Sequence, residues 1–160
     1  MNGVLVALTL LTAVACAVVA GVFFAFSTFV MRALRRLPSA QAIAAMQAIN
    51  AAAIPSVFYF TGFGTALGCV AIAGWALVEW HEPFAPYLLA GSALYLGGAM
   101  AVTVAFNLPR NDALATVDPE GTEAASRWSQ YFPEWTFWNH VRGAGALAAS
   151  AALVGALVVG

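Results

Sequence analysis

Lysine is absent from this chain. All six cations are arginine, and charged residues make up only 8% of its 160 positions. A soluble domain carries roughly 25% charged residues. That shortage, with 62% hydrophobic residues and a mean hydropathy of +0.86, excludes an ordinary soluble fold and indicates an integral membrane protein. The length fits one domain. Cysteine is also scarce. Cys16 and Cys69 each fall near the middle of an apolar segment with no CxxC pattern, and read as small packing residues rather than a disulfide or ligand pair. There is no Glu-x-x-His pair for a di-iron site and no glycine-rich dinucleotide loop. No nucleic-acid partner and no metal or other cofactor is expected. Arginine without lysine, in an alanine-rich chain, is a compositional habit of high-GC bacterial genomes, so a bacterial inner membrane is the expected setting.

A basic n-region is missing as well. The first apolar run continues to Met31, too long for a signal-peptide core of ~7–15 residues. It therefore reads as a retained first span, residues 3–31, closed by Arg32, Arg35 and Arg36. Three more spans are expected at 56–78, 84–106 and 137–159. The expected fold is all-α, an integral membrane four-helix bundle with an additional short interfacial helix over 39–53. In that short helix Ser39 is the expected N-cap, and Ile43, Met46, Gln47 and Asn50 share a face. It lies at the interface or continues into the next span with a bend at Pro55. Gly64 and Gly68 form a GxxxG pair suited to close helix packing, and Gly62, Gly74, Gly91, Ser92, Gly97, Gly98, Gly143, Gly145 and Gly155 add small residues. Glu79, His81 and Glu82 form an acidic hairpin with Trp80. Three near-adjacent side chains cannot all point one way, so the hairpin reads as a polar turn with an interfacial Trp.

Pro109 removes a backbone donor, so the third helix is expected to break there, with Asn107 capping or lining the break. In the long loop, 107–133, Thr122 is expected to cap a short helix to about Phe132, carrying Trp128, Tyr131 and Phe132 on its apolar side. Pro133 then suits the first position of the last helix. Arginine is confined to the loop after span one and to the long loop with the start of span four. The other side carries Glu79 and Glu82. The positive-inside rule places both termini outside and the Arg-rich loops in the cytoplasm.

The polar residues that remain collect at that end. Gln47, Asn50, Asn107, Asn111, Trp128, Trp135, Asn139, His140 and Arg142 come from different segments and fall at one depth. Polar groups there need partners or a wet cavity. At ~100° per residue, Trp135, Trp138, Asn139 and Arg142 lie within about 100° of arc, with His140 off to one side. Interfacial Trp and a snorkelling Arg explain part of this set, but a belt has no need of the amides Asn50, Asn107 and Asn139.

These residues resemble a known family. Gly21-Val22-Phe23-Phe24-Ala25-Phe26 leading to Met31, Ala45-Met46-Gln47-Ala48-Ile49-Asn50, Asn107-Leu108-Pro109-Arg110-Asn111, and Trp128 with Trp135 through Arg142 are similar to the anthrone oxygenase-like family of small four-helix membrane proteins. The resemblance implies a four-helix membrane bundle. For the few members with an assigned role it implies oxidation of a tricyclic anthrone to an anthraquinone with molecular oxygen. It carries no residue roles, so those follow from the chemistry. His140 is the expected base. Asn139, Asn107 and Arg142 are the expected donors to the developing oxyanion. Trp135, Trp138, Trp128, Phe24 and Phe58, with Asn50 and Asn111, are the expected lining for a planar aromatic or quinone-like molecule. Two other readings stay open at this level. One is a haem- or quinone-binding protein, in which a single His supplies one axial ligand. The other is a non-catalytic subunit of a larger membrane complex or a homo-oligomer in the bilayer.

Overall fold

A computed structural model describes residues 1–54 and 56–160. Among these the chain forms five helices and no strand: α1 (Gly3–Leu34), α2 (Ser39–Ala53), α3 (Val57–Val78), α4 (Ala85–Ala115) and α5 (Ala124–Val159). All but α2 are long and apolar enough to cross a membrane. α5 packs along α1 and α4, and α3 closes the other side against the same two helices. α2 covers one end, resting on α5 and the last turns of α4. Ala42, Ile43 and Met46 are buried beneath it, and Gln47 Nε2 donates to the carbonyls of Leu114 (2.8 Å) and Val117 (2.9 Å). At the opposite end the Met1 amine lies 3.1 Å from the Gly160 carbonyl, so the two termini meet.

Small residues set the helix spacing, because burial in lipid gives helices no hydrophobic reason to associate. α4 and α5 touch backbone to backbone where Gly98 faces Gly145. A Cβ on Gly145 would come within 2.8 Å of the Gly98 carbonyl carbon, and a main chain cannot move aside as a side chain can. Of the GxxxG pair, Gly68 meets Thr12 of α1 and Gly64 meets nothing. Hydroxyls join the helices elsewhere: Tyr95 donates to the Gly62 carbonyl (3.0 Å) and Ser150 to the Ala13 carbonyl (2.9 Å). Cys16 and Cys69 are both free and buried, facing each other between α1 and α3.

Two prolines behave differently from expectation. Pro109 does not break the third helix, and α4 runs on to Ala115. The turns before it widen into π geometry over Leu94–Ala101 and Thr103–Asn107, with the Leu108 amide bonding the Thr103 carbonyl five residues back. Such register adjustments re-pair backbone groups that a proline would leave unsatisfied. Pro133 does not begin a helix. It lies inside the 36-residue α5, on the exposed side. Pro133 has no N–H for the Ser129 carbonyl, and both residues lie on the exposed side, while the opposite face keeps Trp128, Tyr131 and Trp135 in one continuous stack. Thr122 is therefore not a cap. Glu123 holds that position without a side-chain bond. Pro38 takes the cap position of α2, with Ser39 its first helical residue. The bend expected at Pro55 lies outside the described residues.

Candidate functional site

The polar end is organised around Arg142. Its side chain is 8% exposed, and its guanidinium sits among aromatic rings, 4.1 Å from the Phe23 centroid and 5.0 Å from that of Trp135. Nε donates to Asn139 Oδ1 (2.9 Å), and Nη1 makes a long 3.5 Å contact with Thr103 Oγ1. Nη2 has no protein acceptor among the described residues. Nor does any carboxylate there pair with Arg142: the two ion pairs are Arg110–Glu134 and Arg127–Glu123, both further out. A guanidinium stays protonated in proteins. This is a buried cation whose charge is met only by amide, hydroxyl and ring faces.

The surrounding amides have defined orientations because each meets a one-way partner, a backbone carbonyl that only accepts for Asn139 and Asn107 and an indole N–H that only donates for Asn111. Asn139 Nδ2 donates to the Phe23 carbonyl (2.7 Å) and to Ser27 Oγ (2.6 Å), which leaves Oδ1 for Arg142. Asn107 Nδ2 donates to the Trp135 carbonyl (3.2 Å), and its Oδ1 is buried with no donor. Asn111 Oδ1 accepts from both the Tyr131 hydroxyl (2.9 Å) and Trp135 Nε1 (2.8 Å). Asn50 of α2 lies beside the same Tyr131 hydroxyl.

Two π stretches, one on α1 and one on α4, border this cluster. The π turn Phe26–Val30 of α1 carries Ser27, and Thr103–Asn107 of α4 carries Thr103 and Asn107. π turns recur at functional sites because they re-aim side chains within an otherwise regular helix. The rings of Trp128, Tyr131 and Trp135 stack up one face of α5, at 5.7 and 6.2 Å between centroids, and lead from the α2 end to Arg142.

The structure thus brings Asn139, Arg142, Asn107, Trp135, Asn111, Trp128 and Asn50 to one end of the bundle. His140 is not among them. It follows Asn139 by one residue, and about 100° of helical rotation places it on the exposed face of α5. Phe24 is 68% exposed and also points away, and Phe23 supplies the inward ring instead. Phe58 reaches the cluster indirectly, edge-on to Phe23 at 5.8 Å. Trp138 is half-buried and stacks on Phe106, 3.5 Å between centroids, beside the cluster. Sequence reasoning missed Phe23, Ser27, Thr103 and Tyr131 as members. Spacing held a signal for two of them: Ser27 is one turn from Phe23, and Thr103 one turn from Asn107. The hairpin residues Glu79, His81 and Glu82 lie at the other end, and no group of three metal-ligating side chains forms among the described residues.

No curated protein and no solved structure matches the chain. A family model does. The model described as anthrone oxygenase matches residues 55–152, more than half of the chain. That stretch contains Thr103, Asn107, Asn111, Trp135, Asn139 and Arg142 and leaves out Phe23, Ser27 and Asn50. On that match, the chain belongs to the anthrone oxygenase family.

Proposed function

We propose that the Arg142 cluster binds the enolate of a planar aromatic ketone and directs its oxidation by molecular oxygen. The observation that carries this reading is the buried guanidinium with no carboxylate partner. An isolated buried charge is costly, and a fold that keeps one gains by offering it to an anion. Phe23 and Trp135, which bracket Arg142, supply flat apolar faces, and the family match supports an anthrone-type substrate.

In the proposed reaction, a methylene beside an aromatic ketone system loses a proton, and its charge spreads to the carbonyl oxygen. Nη2 of Arg142 pairs with that oxygen. The electron-rich enolate gives one electron to O2, forming superoxide and a carbon radical. These combine as a peroxide at the former methylene, which takes up a proton and then loses water to leave a carbonyl. The balance is CH2 + O2 → C=O + H2O. Asn139 Oδ1 orients Arg142, and Asn139 is itself held by the Phe23 carbonyl and Ser27. His140 faces outward and does not enter this scheme. The proton is released to water as the enolate forms at the membrane interface. Both termini lie outside and the cluster lies near the cytoplasmic face, an orientation supported by the confinement of arginine to the loops at that end.

The test is oxygen uptake and quinone absorbance with anthrone, using the full chain in mild detergent. Arg142→Gln should lower turnover by about 10²–10³-fold, the usual loss on removing one oxyanion donor. His140→Ala should stay within a few fold of the unaltered protein. The reading fails if Arg142→Gln keeps full activity, or if the unaltered protein oxidises nothing above the buffer rate.

A further inference from the structure

The amide groups of this cluster have a polarity opposite to the simplest expectation for an oxyanion site. Asn139 and Asn107 are the residue types that would donate to a developing negative charge. Both N–H bonds of Asn139 are already committed, to the Phe23 carbonyl and Ser27 Oγ. Asn107 is 0% exposed, and its Nδ2 is fixed on the Trp135 carbonyl. That contact sets the amide's orientation, because the carbonyl cannot donate. What Asn107 leaves over is an acceptor, Oδ1, buried and without a donor. A fold that keeps such an atom bears a desolvation cost unless a partner arrives from outside the chain.

Its position links it to Arg142. Asn107 holds the backbone of Trp135, and Arg142 lies over the ring of the same residue. Thr103, one turn before Asn107 on α4, carries the hydroxyl that Arg142 Nη1 approaches. The free cationic donors and the free acceptor are therefore neighbours across the α4–α5 seam, on the order of one helical turn apart, ~5 Å.

Resting on the reading of the site given above, we infer that Asn107 is a specificity-determining residue whose Oδ1 accepts a hydrogen bond from a hydroxyl of the ligand, about one ring width from the oxygen that pairs with Arg142. The ligand class is then a planar aromatic ketone with a donor group on the ring beside the carbonyl. A site built around a buried acceptor discriminates strongly, because a ligand without the donor leaves that acceptor unpaired.

Anthrone, 2-hydroxyanthrone and 2-methoxyanthrone form the probe set. Binding to the full chain in detergent is measured without oxygen, by quenching of tryptophan fluorescence, and oxygen uptake is measured separately. The unaltered protein should bind the hydroxy probe at least 30-fold more tightly than the methoxy probe or anthrone. In Asn107→Leu, checked for a monodisperse elution profile, that gap should close to within threefold through loss of the hydroxy probe's advantage. Equal binding of all three probes by the unaltered protein overturns the inference without any variant. So does a gap that survives in Asn107→Leu, and so does failure of every probe to bind. A gap in binding without oxygen uptake keeps the inference and sinks the oxidation reading. Oxygen uptake without a gap does the reverse.

Discussion

Near the chain termini, α4 and α5 meet through Gly91 against Leu153 and Ala149, and through Gly155 against Tyr87. The core there is Leu5, Ala13, Ile72, Ala76, Leu88, Ala149, Leu153 and Ala156, almost every atom apolar. Beyond Gly98–Gly145, towards α2, the same helices enclose a guanidinium, three asparagine amides and a stack of Trp and Tyr rings. In the first half, closeness comes from missing side chains, and the polar groups are scattered hydroxyls: Ser150 bonds the Ala13 carbonyl across to α1, while Thr9 Oγ1 and Ser92 Oγ are buried without a partner. In the second half, each polar atom is fixed by another, and two are left over, Arg142 Nη2 and Asn107 Oδ1. The difference lies in what is left over: lone hydroxyls in the apolar half, and in the polar half an amide acceptor near a buried guanidinium, the pair on which the proposed function rests.

The largest effect should come from Asn111→Leu. Asn111 Oδ1 is the common acceptor for the Tyr131 hydroxyl and Trp135 Nε1, on residues 6% and 2% exposed. Removing it leaves the Trp135 indole donor unpaired and the Tyr131 hydroxyl with only Asn50 beside it, at about 1–3 kcal/mol for a buried donor left unpaired. Thermal unfolding of the detergent-solubilised protein should fall by many degrees. An unchanged midpoint would mean that the polar half is not held together through its amides.

Arg142→Met should act in the opposite direction and less strongly. Exchanging buried ionic groups for apolar side chains of similar length is often neutral or stabilising by roughly 1–4 kcal/mol. Here the exchange removes a charge without a carboxylate partner, at the expense of one short bond to Asn139 and one long contact to Thr103. The variant should be at least as stable as the unaltered chain and should have lost anthrone oxidation. A large loss of stability would mean that Arg142 is a structural clamp and that the polar half resembles the apolar one after all.

How much of this could be read from the residues alone follows the same division. The lipid solvent demands long apolar runs and internally paired backbone, so the four long helices and the short helix over Ser39–Ala53 are legible from hydropathy and periodicity. Asn139 and Arg142 are legible as members of a cluster because polar side chains entering an apolar helix stand out. What is not legible is phase and polarity. Phe23 and Phe24 differ by one residue, and only the packing of α1 on α5 decides which ring faces Arg142. His140 beside Asn139 is the same problem: an imidazole suits a base wherever it sits, and helical phase turns this one to the exposed face. An asparagine can donate or accept, and which it offers to a ligand depends on carbonyls from distant segments, such as Phe23 for Asn139 and Trp135 for Asn107. Pro109 and Pro133 read as boundaries because local rules treat a proline as a stop. The turns before Pro109 take a π register, and at Pro133 an exposed position and a continuous aromatic stack on the opposite face preserve the helix.

The smallest effect concerns the apolar half, where Gly64 and Gly68 look equivalent in the sequence as a GxxxG pair and are not equivalent in the structure. A Cβ at Gly68 would come within 2.6 Å of Thr12 Oγ1, and one at Gly64 would meet nothing within 4 Å. Thr12 is 4% exposed and β-branched, so relieving the contact means leaving its preferred rotamer, at roughly 0.5–1.5 kcal/mol. Gly68→Ala should therefore lower the unfolding midpoint slightly. Gly64→Ala should leave it level or raise it, since alanine favours a helix interior over glycine by about 1 kcal/mol. If both substitutions destabilise equally, the outer face of α3 at Gly64 is packed against something in the membrane, and the apolar half would itself prove to be a contact surface rather than a finished core.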